Sequence, residues 1–313
     1  MIGVFSAVVS REVIRFWRQR GRLFASLARP LLWLIVIGAG FERLVPTEGT
    51  VSYKHFLLPG LYGMVILFST MLSALATVHD REFGPMRMLL VAPVQRWIIV
   101  VAKTVSAALL GTIQVVLLFP LIWILGLQPS FSAILALLGA VALGSVAISS
   151  VGMVIASRMR SIENFAGIMN FLMFPMFFLS SALYPAVLLP GFLQPFVRAN
   201  PLTYAIDLMR HPLLRGLYPG NLGTDYTARF DVLVLVLVSA VLLTLACLLF
   251  GEEDHLGRIL LNEPLRAKRT PASSKVLRWR PGRKRAVPSL PGSIAEPTAA
   301  DSPAKLLTPN QPG

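Results

Sequence analysis

Residues 231–250 read DVLVLVLVSAVLLTLACLLF. After the opening aspartate, the run passes to Phe250 without one Asp, Glu, Lys, Arg or His. A helix of about 20 apolar residues crosses the hydrocarbon core of a bilayer, and a water-soluble core needs no such unbroken block. Five earlier stretches have the same character: Leu23–Phe41, Phe56–Val78, Thr104–Leu125, Ser132–Ala156 and Phe165–Leu183. Composition agrees, because the chain is 55% hydrophobic and only 14% charged, where a soluble domain carries about a quarter charged residues. Too little polar surface remains to cover such a chain in water. The reading is an all-α membrane protein with six transmembrane helices. Arg29 and Pro30 interrupt the first span, and Arg29 is expected to snorkel toward the interface.

The net charge of +14 lies between and beyond the apolar blocks, where it sets topology rather than binding nucleic acid. Lys and Arg number six in the N-terminal segment including Arg29, four after the second span, two after the fourth and eleven in the C-terminal tail. The opposite side holds six, namely Arg43, Lys54, Arg198, Arg210, Arg215 and Arg229. The positive-inside rule therefore puts both termini in the cytoplasm, and it does so even when the tail is left out, at twelve against six. The run Ile2–Val9 has no basic region before it and is not read as a signal peptide.

Three segments outside the spans are informative. In residues 1–22, Arg11, Arg15, Arg18 and Arg22 follow a 4-3-4 spacing that stacks them on one helix face. This predicts an amphipathic helix in the cytoplasmic interface, arginines toward headgroups; a plain topogenic charge cluster is the alternative.

The second segment follows span 2 and runs His79-Asp80-Arg81-Glu82-Phe83-Gly84-Pro85-Met86-Arg87-Met88-Leu89-Leu90-Val91-Ala92-Pro93. Pro85 suits a first helical position and Pro93 ends the helix before it. The result is a helix of about two turns with an apolar centre flanked by charge. Two readings stand: docking into another protein's groove, or resting on lipid.

The third segment, residues 184–229, carries too many prolines to span, yet is apolar to about Leu217. Asn200-Pro201 marks a helix start, with Asn as cap and Pro at the first helical position. Leu202, Ile206 and Met209 line one face, and Asp207 is placed to pair with Arg210 or His211. The expectation is a re-entrant or surface-lying pair of helices, broken near Asn200. Residues 23–255 form the transmembrane domain on this reading, and 256–313 form a basic, Pro-rich cytoplasmic tail with too little apolar content to order itself.

Much chemistry is absent. There is no G-x-x-x-x-G-K-[ST] phosphate loop and no H-E-x-x-H or Cys/His cluster, so no metal is expected. Cys247, the single cysteine, reads as helix packing. Ser149, Ser150, Ser180 and Ser181 have no obvious base and read as small packing residues. The span interiors beyond the first lack Asp, Glu, Lys and Arg, which argues against a self-contained ion-coupled secondary transporter, the alternative function. Gln114 and Asn170 are the main interior polar side chains; each either bonds across helices or faces a substrate path.

Two of these segments resemble the permease subunits of ABC-2-type ATP-binding-cassette exporters. One is Asp80-Arg81-Glu82-x-Gly84 followed by Leu89-Leu90-Val91-x-Pro93-Val94 and Lys103. The other is Asn200-Pro201-Leu202-Thr203-Tyr204-x-x-Asp207-x-x-Arg210. Pro85 departs from the family pattern, which often has Thr there, and the tail is not part of it. The resemblance covers residues 10–255. It implies that Asp80, Arg81, Glu82, Gly84, Arg87, Leu89, Leu90, Val91 and Pro93 belong to a coupling helix that docks on a separate ABC ATPase subunit. It implies that the helices around Asn200, Pro201, Tyr204, Asp207 and Arg210 close an outer gate. It further implies a second permease chain, as homodimer or heterodimer. ATP and Mg would then sit on the partner ATPase, with no cofactor on this chain. The expected protein is no enzyme itself but a multi-pass permease of the bacterial inner membrane that exports a substrate.

Overall fold

The computed structural model describes residues 2–42, 52–83, 95–186, 189–214 and 224–262, and every regular element among them is helical. In chain order these are α1 (Ile2–Arg18), α2 (Arg20–Glu42), α3 (Tyr53–Glu82), α4 (Arg96–Leu117) and α5 (Pro120–Ile124). They continue as α6 (Phe131–Arg158), α7 (Ile162–Phe178), α8 (Gln194–Ala199), α9 (Pro201–Leu214) and α10 (Ala228–Asn262).

Four stretches are long and apolar enough to cross a membrane: α3, α4 with α5, α6, and Ala228–Phe250 of α10. The first and fifth spans expected from sequence fall on shorter apolar helices, Ser26–Gly40 and Ile162–Phe178. The fifth was expected to reach Leu183. Helix α7 instead stops at Phe178, and the chain turns through Ser180 and Ser181. Helix α10 runs past the apolar block to Asn262. Arg29, exposed on this chain, lies over the Phe68 ring, 4.3 Å from its centroid.

Helix α3 is the hub. It is buried along most of its length and packs against α2, α4, α6, α7 and α9. Ser52 caps it, its hydroxyl accepting from Lys54 N at 3.3 Å. Pro120 has no N–H to donate, so the α4 ladder breaks there and resumes as the single turn α5. Serines pack the helices as the sequence suggested: Ser149 and Ser150 are buried and return their hydroxyls to Val146 O at 2.9 and 2.8 Å.

Helix α9 lies against α3, α6 and α10. All its residues are buried except Pro201, His211 and Pro212, which are half-buried. Helix α9 is thus enclosed by the bundle, while most of α8 stays exposed. One-face periodicity was expected, but close approach buries the other faces too. Two glycines allow that approach. A Cβ on Gly63 would meet Ile206 Cγ1 at 2.5 Å, and one on Gly144 would meet Ala205 Cβ at 2.9 Å. Small residues at helix contacts permit such short separations.

Candidate functional site

Charged side chains gather at the two ends of α3. At its C-terminal end Asp80 is 3% exposed. It accepts from Lys103 Nζ at 2.6 Å, from Arg11 Nη2 at 2.9 Å and from Arg15 Nη1 at 3.3 Å. Lys103 also donates to Glu12 Oε1 at 2.6 Å. Burial alone would push Glu12 upward, but the Lys103 ammonium and Arg11 outweigh it and hold the carboxyl below its ordinary value. Arg11 and Arg15 thus turn onto an acid of the bundle, not only toward headgroups as their stripe suggested. A spacing fixes the face of a helix but not what faces it.

The next two residues reach other helices. Arg81 Nη1 donates to the carbonyls of Ala156, Ser157 and Met159, at 3.4, 2.9 and 3.2 Å, capping the end of α6. Its guanidinium also lies 4.6 Å from the Phe250 ring centroid. Glu82 Oε2 accepts from Ile162 N at 2.8 Å, at the start of α7. Consecutive helical residues point about 100° apart, so Asp80, Arg81 and Glu82 fan out to α1 and α4, to α6 and α10, and to α7. Gly84, Arg87, Leu89, Leu90, Val91 and Pro93 lie outside the described residues.

At the other end, Asn200 joins α8 to α9. Its Oδ1 accepts from Leu202 N at 3.0 Å, and its Nδ2 donates to Met176 O at 2.6 Å. Pro201 opens α9. Tyr204 Oη donates to Arg198 O at 2.7 Å, and its ring packs on Tyr226 and Phe230. Arg210, 1% exposed, donates to Ser181 O and Oγ and stacks over Phe56 with its carbon 4.1 Å from the centroid. Ser181 has φ 56°, in the left-handed region that costs a side-chain-bearing residue about 1–2 kcal/mol; Arg210 holds that turn in place.

Asp207 was expected to pair with Arg210 or His211. It does neither: both its oxygens accept backbone N–H groups, from Asp225 at 2.9 and 3.1 Å and from Tyr226 at 2.8 Å. Arg210 Nη1 approaches Asp225 Oδ2 at 4.0 Å, and His211 Nε2 lies 3.5 Å from Asp231 Oδ2. Burial pushes Asp207 up to about 6 against the pull of those amides. The neighbouring Asp231 carboxylate raises His211 against its partial burial. Neighbours on one helix were a poor guide because α9 is enclosed, and other elements reach its polar groups first.

Gln114 and Asn170 do not share a site. Gln114 is buried on α4 and donates Nε2 to Ser69 Oγ at 2.7 Å. It lines a cavity of about 480 Å³, open mouth included, with Glu12, Arg15, Phe16 and Ser69. Asn170 is exposed on α7. Glu12, Asp225 and Asp231 were not singled out from the sequence, and His211 was taken only as a helix-face partner for Asp207. The one available signal was Asp207-x-x-x-His211, four apart and so on one helical face.

The profile of the family described as "ABC-2 type transporter" matches residues 3–214. A protein carried under the name of a transport permease, ycf38 of Cyanophora paradoxa, is 30% identical over 209 residues, covering 65% of this chain and 71% of its own. Nodulation protein J of Rhizobium leguminosarum bv. trifolii is 30% identical over 200 residues, 62% of this chain and 74% of its own. YbhR of Escherichia coli K12, named as a multidrug ABC transporter permease, is 28% identical over 169 residues, 53% of this chain and 45% of its own.

Proposed function

Because this chain belongs to the ABC-2 type transporter family, as a multi-pass membrane transport permease, we propose that it forms the membrane path of an ATP-driven exporter, with ATP hydrolysed by a separate ATPase subunit. The working unit is two permease chains with two ATPase chains. ATP and Mg sit on the ATPase pair, whose closure rocks the permeases between inward- and outward-open states. The chain crosses the bacterial inner membrane six times with both termini cytoplasmic, a topology supported by the bias of Lys and Arg. Helix α1 lies in the cytoplasmic interface. Helices α8 and α9 are the re-entrant pair that closes the outer gate, through Asn200, Pro201, Tyr204, Asp207 and Arg210. The relatives' names range from a nodulation protein to a multidrug permease, so no single substrate class is carried over.

The observation that carries this reading is the fan of ties at Asp80, Arg81 and Glu82. A push on the segment that follows, residues 84–94, is delivered at once to α1, α4, α6 and α7 through charge-assisted bonds. That is the connection a coupling helix needs. Leu89, Leu90 and Val91 are its apolar contact with the ATPase, and Arg87 flanks them.

Leu90→Asp tests it. An unpaired charge forced into an apolar groove costs several kcal/mol, and about 1.4 kcal/mol is tenfold in affinity. The variant should insert normally and lose the ATP-hydrolysing, phosphate-loop subunit on purification in detergent. Equal recovery of that subunit per permease, at matched expression, removes Leu90 from the interface.

A further inference from the structure

Three carboxylates crowd the end of α9 nearest α10. Asp207 and Asp231 are both 0% exposed, and the Asp225 side chain is 18% exposed. Among the described residues, the cationic groups within 4.0 Å of them are Arg210, at the edge of that distance from Asp225, and His211, beside Asp231. Asp207 is satisfied by backbone amides. Among the described residues, Asp231 is not: neither of its oxygens, both fully enclosed, has a hydrogen-bond partner, and His211 Nε2 stands 3.5 Å from Oδ2. His211 Nε2 likewise lacks one. A buried carboxylate without a donor is costly, and native structures keep few such groups without a reason.

We propose that Asp207, His211 and Asp231 bind a divalent transition-metal ion of the zinc type, which ties α9 to the start of α10. One ligand atom from each residue falls in a group whose members all lie within 4.8 Å of one another. Three atoms on one tetrahedral ion at about 2.0–2.2 Å sit roughly 3.3–3.6 Å apart, so a pair at the full 4.8 Å would have to close by about an ångström on binding. Asp207 and His211 are four apart and share one face of α9, and Asp231 meets them from the first turn of α10. An imidazole with two carboxylates suits zinc, manganese, cobalt or ferrous iron better than a soft ion that wants thiolate. The amides of Asp225 and Tyr226 hold the Asp207 carboxylate in orientation, as groups behind a ligand commonly do. A divalent charge offsets what Arg210 leaves uncompensated. Three protein ligands leave a position for water. Binding here does not depend on the direction or the energy source of transport.

The test uses the purified full-length protein with any co-purifying subunits, stripped with chelator and titrated with cobalt(II) as a visible probe. One ion per chain should bind with the absorption bands of a low-coordinate site, and zinc should displace it. Asp231→Asn and His211→Gln should each weaken binding at least tenfold. His55→Gln should leave it unchanged, because His55 Nε2 is bonded to Leu125 O elsewhere in the fold. Wild-type protein supplies a second measure that needs no variant: chelation lowers its thermal midpoint and zinc restores it. Saturable binding that survives in both variants marks an adventitious ion and overturns the proposal. So does a wild-type protein that binds no cobalt and whose midpoint ignores zinc, in which case His211 is simply a protonated partner for Asp231.

Discussion

The two ends of α3 handle buried charge in opposite ways. Phe56, beneath Arg210, and Asp80 are 24 positions apart, which is about 36 Å along a helix. At the Asp80 end, two acids face Lys103, Arg11 and Arg15, and every acid accepts a close bond. At the Arg210 end, among the described residues, three acids face one arginine and one histidine, and Asp231 accepts no hydrogen bond. A satisfied ionic cluster in low dielectric fixes geometry, while an unsatisfied one is strained until something binds. The first suits a joint that transmits force intact; the second suits a contact whose strength a ligand sets.

The largest effect is expected at Asp80. Asp80→Ala leaves Lys103, 4% exposed, with Glu12 alone. Removing one partner of a buried pair costs about 3–5 kcal/mol. Arg11 and Arg15 are well exposed and contribute little of that. The thermal midpoint in detergent should fall by a large margin, with α1 and α4 loosened from the end of α3. A midpoint equal to wild type would mean that Glu12 suffices for Lys103 and that the Asp80 end is not a single unit.

The opposite sign is expected at the other end. In chelator-stripped protein, Asp231→Asn removes a charge that lacks compensation, and stability should rise by on the order of 1 kcal/mol. With zinc present, the same variant should be the less stable of the two. A loss of stability in the stripped protein would show that the His211 ion pair already balances Asp231, and the contrast between the two ends would collapse.

How far these two regions are legible in the sequence differs in the same way. The break at Asn200-Pro201 is legible because capping is local: an Asn accepts from an amide two residues on, and the structure has that bond. The four long apolar stretches are legible because solvent transfer acts on each block separately. The charge partners are not. Asp207 finds amides 18 and 19 residues away, Arg210 finds Ser181, and Glu12 finds Lys103. Each depends on which helices enclose which, a property of the packed bundle. Asn170 is exposed on this chain and makes no bond across its helices among the described residues, so what it faces is likewise not written in the local run.

Asn200→Ala sharpens the local half of that contrast. It frees Leu202 N and leaves Met176 O without its donor. Loss of a cap costs about 1 kcal/mol. The first turn of α9 should exchange its amide hydrogens several-fold faster, while α3 and α6 exchange as before. Uniform acceleration across all three helices would mean that α9 opens only with the whole bundle.

The smallest effect belongs to Glu12. Its carboxyl is held below the ordinary value of 4.5 when α1 is docked, so the docked form binds a proton less readily than the undocked form. The stability its charge supplies is therefore complete above about pH 4.5 and is lost as pH falls through the lower docked value. A fluorophore at the exposed position Ser10, on a Cys247→Ala background, reports the docking of α1. Its signal should be flat from neutral pH down to about 4.5 in the wild type, then change. Glu12→Gln gives up that contribution at every pH, since its amide cannot carry the charge that Lys103 pairs with. The variant should start slightly looser, by on the order of 1 kcal/mol, because buried Lys103 keeps its bond to Asp80, and respond less to acid. If wild type and Glu12→Gln titrate alike, the acid response comes from other carboxylates, and Glu12 serves only to fill space beside Lys103.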